Sequence, residues 1–165
     1  LIPLTREELD KFMTEKQFSA LNVTIPYKET VIPYLDEIDA HAQKIGAVNT
    51  VVNRNGKLTG YNTDFYGFRY MLLNNGIDVK NKKALVLGKG GASKAVLAVL
   101  EELGAKEILT VYYKENPKTI TYEECYANHS DAEIIVNTTP VGMYPKADDC
   151  PIDLSRFPYL SGCGL

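Results

Sequence analysis

Lys28 and Asp64 are the residue types that carbonyl chemistry requires, and each sits in a cluster of polar neighbours. Lys28 closes the run Asn22-Val23-Thr24-Ile25-Pro26-Tyr27-Lys28, and Asp64 closes Tyr61-Asn62-Thr63-Asp64. Hydride addition to a ketone builds negative charge on oxygen. A cationic lysine stabilises that alkoxide or gives it a proton. In this reading Asp64 orients a substrate hydroxyl and holds Lys28 in place. Thr24, Asn49, Asn62 and Thr63 then supply hydrogen bonds to a small polyhydroxylated ligand. Taken singly, Lys28 is an ordinary solvated lysine of a first helical turn and Asp64 an ordinary helix cap. The chemistry requires that the two converge.

A hydride donor is suggested further along. Gly88-Lys89-Gly90-Gly91-Ala92-Ser93 follows the apolar run Ala84-Leu85-Val86-Leu87 and precedes a helical pattern. Gly88, Gly90 and Ser93 stand at the three positions of a GxGxxG fingerprint, with serine in the third. Such a turn lets the backbone approach a pyrophosphate at the positive end of the following helix. The end of the next strand reads the adenosine ribose: an acid there suits NAD, an arginine suits NADP. Tyr112-Tyr113-Lys114-Glu115 offers neither, so both cofactors stay open. Asn137-Thr138-Thr139-Pro140 closes a third strand, where Thr138 and its backbone are placed to meet a cofactor or simply to make a polar turn.

The elements that must position these groups are legible from pattern. Thr5-Arg6-Glu7-Glu8 is a capping box that opens a helix to about Lys16, with Leu9, Phe12 and Met13 on its apolar face. Ala20 to Ile25 reads as a strand stopped by Pro26. Helical material follows Lys28, is broken by Pro33, and resumes near Asp36 with Ala40 and Ile45 inward and Gly46 as its stop. Val48–Asn53 and Lys57–Tyr61 form a hairpin around Asn55-Gly56. Asp64–Asn75 is a helix with Phe65, Phe68, Met71 and Leu72 on one face, ended by Gly76. From Lys83 the apolar runs become continuous, as for strands buried on both faces. Ala84–Leu87, a helix from Ser93 to Leu103, Glu107–Val111, a short helix at Tyr122–Ala127 and Glu133–Asn137 alternate as a parallel, right-handed α/β unit. The expected fold is therefore α/β in two parts, residues 1–80 and 81–165.

The chain has 165 residues, a net charge of −3 and 24% charged residues. That balance shows no basic stripe for nucleic acid, and no apolar stretch is long enough for a membrane span. Cys125, Cys150 and Cys163 show no CxxC spacing, and with only His41 and His129 no metal site is expected. Free thiols and a cytoplasmic location follow. Neither Leu1 nor the closing Ser161-Gly162-Cys163-Gly164-Leu165 reads as a natural terminus, so a piece of a longer protein is expected.

Five motifs together are similar to the shikimate dehydrogenase family: Asn22 to Lys28, Gly46-Ala47-Val48-Asn49-Thr50, Gly60 to Asp64, Gly88 to Ala92, and Asn137 to Met143. The resemblance implies an NADP-dependent oxidoreductase that reduces 3-dehydroshikimate to shikimate, in aromatic amino acid biosynthesis. It implies a substrate domain at 1–80 and a partial Rossmann-like nucleotide domain at 81–165. Lys28 and Asp64 would be the catalytic pair. Thr24, Asn49 and Thr63 would bind shikimate, and Gly88, Gly90, Gly91 and Ala92 the cofactor diphosphate. The family's opening strand with its serine motif and its closing strand, tyrosine, glutamine and helix have no counterpart here. Its usual Asn-Arg-Thr is replaced by Tyr112-Tyr113-Lys114, which keeps a quinate/shikimate dehydrogenase using NAD as an alternative. A non-catalytic ligand-binding fragment is another. An incomplete sheet would expose an edge and apolar surface, so marginal stability or self-association, including a homodimer, is expected.

Overall fold

The computed structural model describes residues 2–160 and, by backbone alone, 162–164. The chain divides into two compact units, residues 1–64 and 65–165.

In the first unit, α1 (Arg6–Glu15) opens on the expected capping box. Glu8 N–H donates to the Thr5 hydroxyl, and Thr5 N–H donates to the Glu8 carboxylate. The helix ends at Lys16, whose φ of 52° is left-handed. Asn53 then donates its side-chain amide to the Lys16 carbonyl at 2.8 Å, tying the helix end to the hairpin. Leu9 and Met13 are buried, while Phe12 stacks on Phe18.

The sheet has the order β1-β3-β4-β2, with β1 (Ala20–Asn22), β2 (Glu37–Ile38), β3 (Thr50–Arg54) and β4 (Lys57–Tyr61). β3 and β4 are the expected hairpin, with Arg54 opposite Lys57 and positive φ at Asn55 and Gly56. The first strand is shorter than its apolar pattern suggests. Val23 N–H still reaches the Asn49 carbonyl, but Tyr27 N–H then bonds the Thr24 carbonyl, so the chain has already turned.

Helix does not resume at Asp36. The Asp36 N–H instead reaches the Leu58 carbonyl at the edge of β4, and Glu37–Ile38 runs parallel to β4. The helix α2 (Ala40–Ile45) starts later because Asp39 caps it, accepting from His41 and Ala42 N–H. Ala40, in its first turn, is exposed rather than inward; Ala42 and Ile45 are the buried residues. The core joins Leu9, Met13, Val23, Val31, Ala42, Val48, Val51 and Leu58.

α3 (Thr63–Asn74) carries the chain into the second unit. Phe65 and Leu72 are buried, and Arg69 pairs with Glu102 at 3.0 Å. The second sheet is parallel throughout, in the order β6-β5-β7-β8. Its strands are β5 (Lys83–Leu87), β6 (Glu107–Val111), β7 (Ile134–Asn137) and β8 (Gly162–Gly164). The last was not expected; three residues with two glycines carry no strand pattern. α4 (Gly91–Glu102) starts two residues before Ser93, directly on the glycine turn. α5 (Tyr122–Asn128) is capped by the Thr121 hydroxyl. β5 is central and buried, whereas β6 is largely half-buried because no other strand covers it on its outer side among the described residues. Leu85, Leu87, Val111, Cys125, Ala132, Ile135, Ile152 and Phe157 form this unit's main cluster.

Candidate active site

Lys28 and Asp64 converge. The Lys28 Nζ donates to Asp64 Oδ2 at 2.7 Å, and the side chains are 18% and 39% exposed. The local chain explains how 36 residues of separation close to one bond. Val48 N–H donates to the Lys28 carbonyl at 2.7 Å, which pins Lys28 beside the segment entering β3. Asn49, next along, receives β1 on one side and β4 on the other. Its carbonyl accepts from Val23 N–H, and its N–H donates to the Tyr61 carbonyl.

The Asn49 side chain fixes the start of α3. Its Oδ1 accepts from Thr63 N–H at 2.8 Å, from the Thr63 hydroxyl at 3.1 Å and from the Thr50 hydroxyl at 3.1 Å. A backbone N–H can only donate, so the oxygen must face α3 and the amide nitrogen must face away. That nitrogen has no hydrogen-bond partner among the described residues. Asn62 is fully buried and donates to the Ala47 carbonyl at 3.0 Å, so it braces the same junction. Of the predicted polar set, Lys28, Asp64, Asn49 and Thr63 are therefore gathered at one junction. Thr24 is exposed, and its side chain bonds none of them. Thr50 was not singled out from sequence. Its position beside Asn49 at the strand entrance was the only signal.

Gly60, in β4 between this network and the core, allows a close approach. A Cβ there would collide with the Leu35 side chain and lie 3.0 Å from Val48 Cγ2.

In the second unit, Gly88 has a φ of +103°, a conformation that side-chain-bearing residues rarely adopt. Its N–H donates to the Val111 carbonyl at 2.9 Å, joining the turn to the end of β6. A Cβ on Gly88 would stand 3.0 Å from Thr138 Oγ1 and 3.1 Å from Thr139 Cγ2. Thr138 donates its hydroxyl hydrogen to the Leu87 carbonyl at 2.6 Å, so it holds the turn and keeps only acceptor capacity for a ligand. No side chain caps α4 at Gly90, and the space where a Cβ would stand is open to 4 Å. Ser93 turns its hydroxyl back to the Gly90 carbonyl at 2.7 Å. The amides of Gly91, Ala92 and Ser93 thus head a helix with no capping side chain, an arrangement that suits a phosphate.

A family model described as the shikimate dehydrogenase substrate-binding domain matches residues 3–51. Along the whole chain, a shikimate dehydrogenase (NADP(+)) of Clostridium beijerinckii is 44% identical over 165 residues, covering 93% of this chain and 60% of that protein. This chain is a relative of the shikimate dehydrogenases. Solved structures agree. The chorismate mutase/shikimate 5-dehydrogenase fusion protein of Clostridium acetobutylicum superposes with a TM-score of 0.83 at 38% identity, over 96% of this chain and 60% of that one. Shikimate 5-dehydrogenase of Thermus thermophilus, solved with NADP(H) and shikimate, gives 0.79 at 33% identity, over 97% and 63%. The chain spans about three fifths of the length of these shikimate dehydrogenases. No described helix is long and apolar enough to cross a membrane, and no described cluster of His, Cys, Asp or Glu could hold a metal ion.

Proposed function

We propose that this chain carries the Lys/Asp pair and the dinucleotide turn of an NADP-dependent oxidoreductase that interconverts 3-dehydroshikimate and shikimate. The observation that carries the reading is the 2.7 Å contact between Lys28 Nζ and Asp64 Oδ2. The relatives' names, and the NADP(H) and shikimate bound to the Thermus thermophilus enzyme, support the same assignment. Residues 1–80 are the substrate part and 81–165 the nucleotide part in this reading.

A reduced nicotinamide, when bound, supplies the hydride. The roles of this chain's own residues follow from geometry. Lys28 presents a cationic donor that stabilises oxygen charge at the substrate carbonyl or protonates it. Asp64 fixes the ammonium and accepts from a substrate hydroxyl. The outward amide nitrogen of Asn49 donates to a second hydroxyl. The exposed Thr24 and Thr63 hydroxyls complete the polar set for shikimate. The amides of Gly90, Gly91 and Ala92, entered from the turn at Gly88, meet the diphosphate, and Thr138 holds that turn.

The test is reduction of 3-dehydroshikimate with NADPH, followed for the unaltered protein and Lys28→Ala. Turnover should fall by roughly a hundredfold or more, the scale of a lost general acid or charge stabiliser. Near-normal turnover in the variant would remove Lys28 from the chemistry. A second reading, a quinate/shikimate dehydrogenase using NAD, is favoured by the absence of an arginine at Tyr112-Tyr113-Lys114. Comparing kcat/KM for NAD and NADP separates the two.

A further inference from the structure

Among the described residues the first sheet ends in β1 on one side and β2 on the other, and the two edges are not alike. The β2 edge is guarded by charge. Glu37 pairs with Lys57 at 2.6 Å, and Asp36, just before it, pairs with Lys16 at 3.3 Å. Charged side chains on an outer strand discourage another chain from adding to it. The β1 edge has no such guard. Residues 17–27 carry no charge, and Pro26 lies beyond the strand.

The backbone of β1 shows what this edge offers. Val23 N–H donates to the Asn49 carbonyl, Asn53 N–H donates to the Ser19 carbonyl, and Leu21 stands opposite Val51. Residues 19, 21 and 23 therefore bond inward to β3. Antiparallel alternation turns the N–H and carbonyl of Ala20 and Asn22 the other way. Among the described residues these outward groups have no backbone partner. Both residues are exposed.

Beside the same edge, under α1, lies an apolar hollow of about 330 Å³. Leu9, Phe12, Leu21 and Tyr27 line it together with Ile2, which is 68% exposed. None of its lining residues is charged. Directional backbone groups and an uncovered apolar surface thus meet along one strand.

We propose that β1 is the seam of a homodimer, in which the β1 of a second copy adds antiparallel about a two-fold axis at Leu21. Ala20 then exchanges both backbone bonds with the second copy's Asn22, and Asn22 does the same with the second copy's Ala20. Leu21 meets its own counterpart on the hollow side, as a non-hydrogen-bonded pair, where side chains come closest. The two hollows close against each other across this seam. A neutral edge facing itself brings no like charges together, which is what allows the same surface to serve both copies.

Sedimentation of the whole chain across a range of concentration tests it. The unaltered protein should show a monomer–dimer equilibrium. Ala20→Pro removes an outward N–H that the single chain does not use, a change that edge strands tolerate. It should weaken the dimer by roughly thirtyfold or more, as for the backbone bond lost from each copy. A far-ultraviolet circular dichroism spectrum like that of the unaltered protein shows that the variant is folded. Leu21→Cys in a Cys150→Ser background supplies a second, independent reading. Mild oxidation should link two copies through Cys at position 21, well beyond any linkage in Cys150→Ser alone, because a pair on the axis lies within disulfide reach. A dimer that Ala20→Pro leaves intact, or the absence of the position 21 crosslink, overturns the proposal. So does an unaltered chain that stays monomeric, even one that takes up an unrelated extended peptide at this edge.

Discussion

Asn49 shows how one side chain links packing to chemistry. Its single oxygen receives three donors, two of them from Thr63. Removing it leaves the Thr63 N–H without an acceptor at the head of the helix that carries Asp64. Asn49→Ala should therefore lower stability by about 1–3 kcal/mol, measured by urea unfolding, and weaken shikimate binding by calorimetry. Cys125 is a contrasting residue. Burial pushes its thiol up to about 11, and it is sealed in the second core. In the folded protein at about pH 8 it should resist a thiol reagent that modifies the exposed Cys150, and react once urea is added. Early labelling of Cys125 would mean that this core opens readily. Lys28 and Asp64 were legible as a pair from residue type and from the family resemblance, but their contact was not. Their contact depends on Val48 and Asn49, backbone bonds that no spacing rule reveals.

At the level of elements, the readable parts were those with strong local punctuation. The capping box of α1, the Asn55-Gly56 turn, the Gly46 stop and the buried run of β5 all form where their residues place them. The unread parts lack such signals. β2 is two residues long and is recruited by the edge of β4, and β8 is a glycine-rich strand held by its partner's backbone. Helix propensity near Asp36 lost to that pairing, since Asp36 bonds the Leu58 N–H through its carboxylate as well. β4 also carries a steric requirement. Gly60→Ala forces Leu35 and Val48 apart and should cost about 1–3 kcal/mol, read from the urea midpoint. A neutral effect would show that Leu35 has another rotamer to use.

For the molecule as a whole, acid stability should report the carboxylates that the fold engages. The Leu58 N–H, and then Lys16, hold the Asp36 carboxyl below the usual range. A depressed folded value gives stability that is fully present above the unfolded carboxylate range near about 4 and is lost as pH falls through the folded value. Asp36→Asn should thus flatten the decline in melting temperature below about pH 4; an unchanged slope would assign that decline to other acids. The first unit holds a lysine–carboxylate pair and the second a glycine-turn helix with no capping side chain. The central claim is that the pair acts as one device on the substrate. A double-mutant cycle on turnover, with Lys28→Ala, Asp64→Ala and both together, tests it most directly. The account predicts that the double variant is about as slow as the slower single one. Effects that multiply independently, or a Lys28→Ala protein that turns over normally, would contradict it.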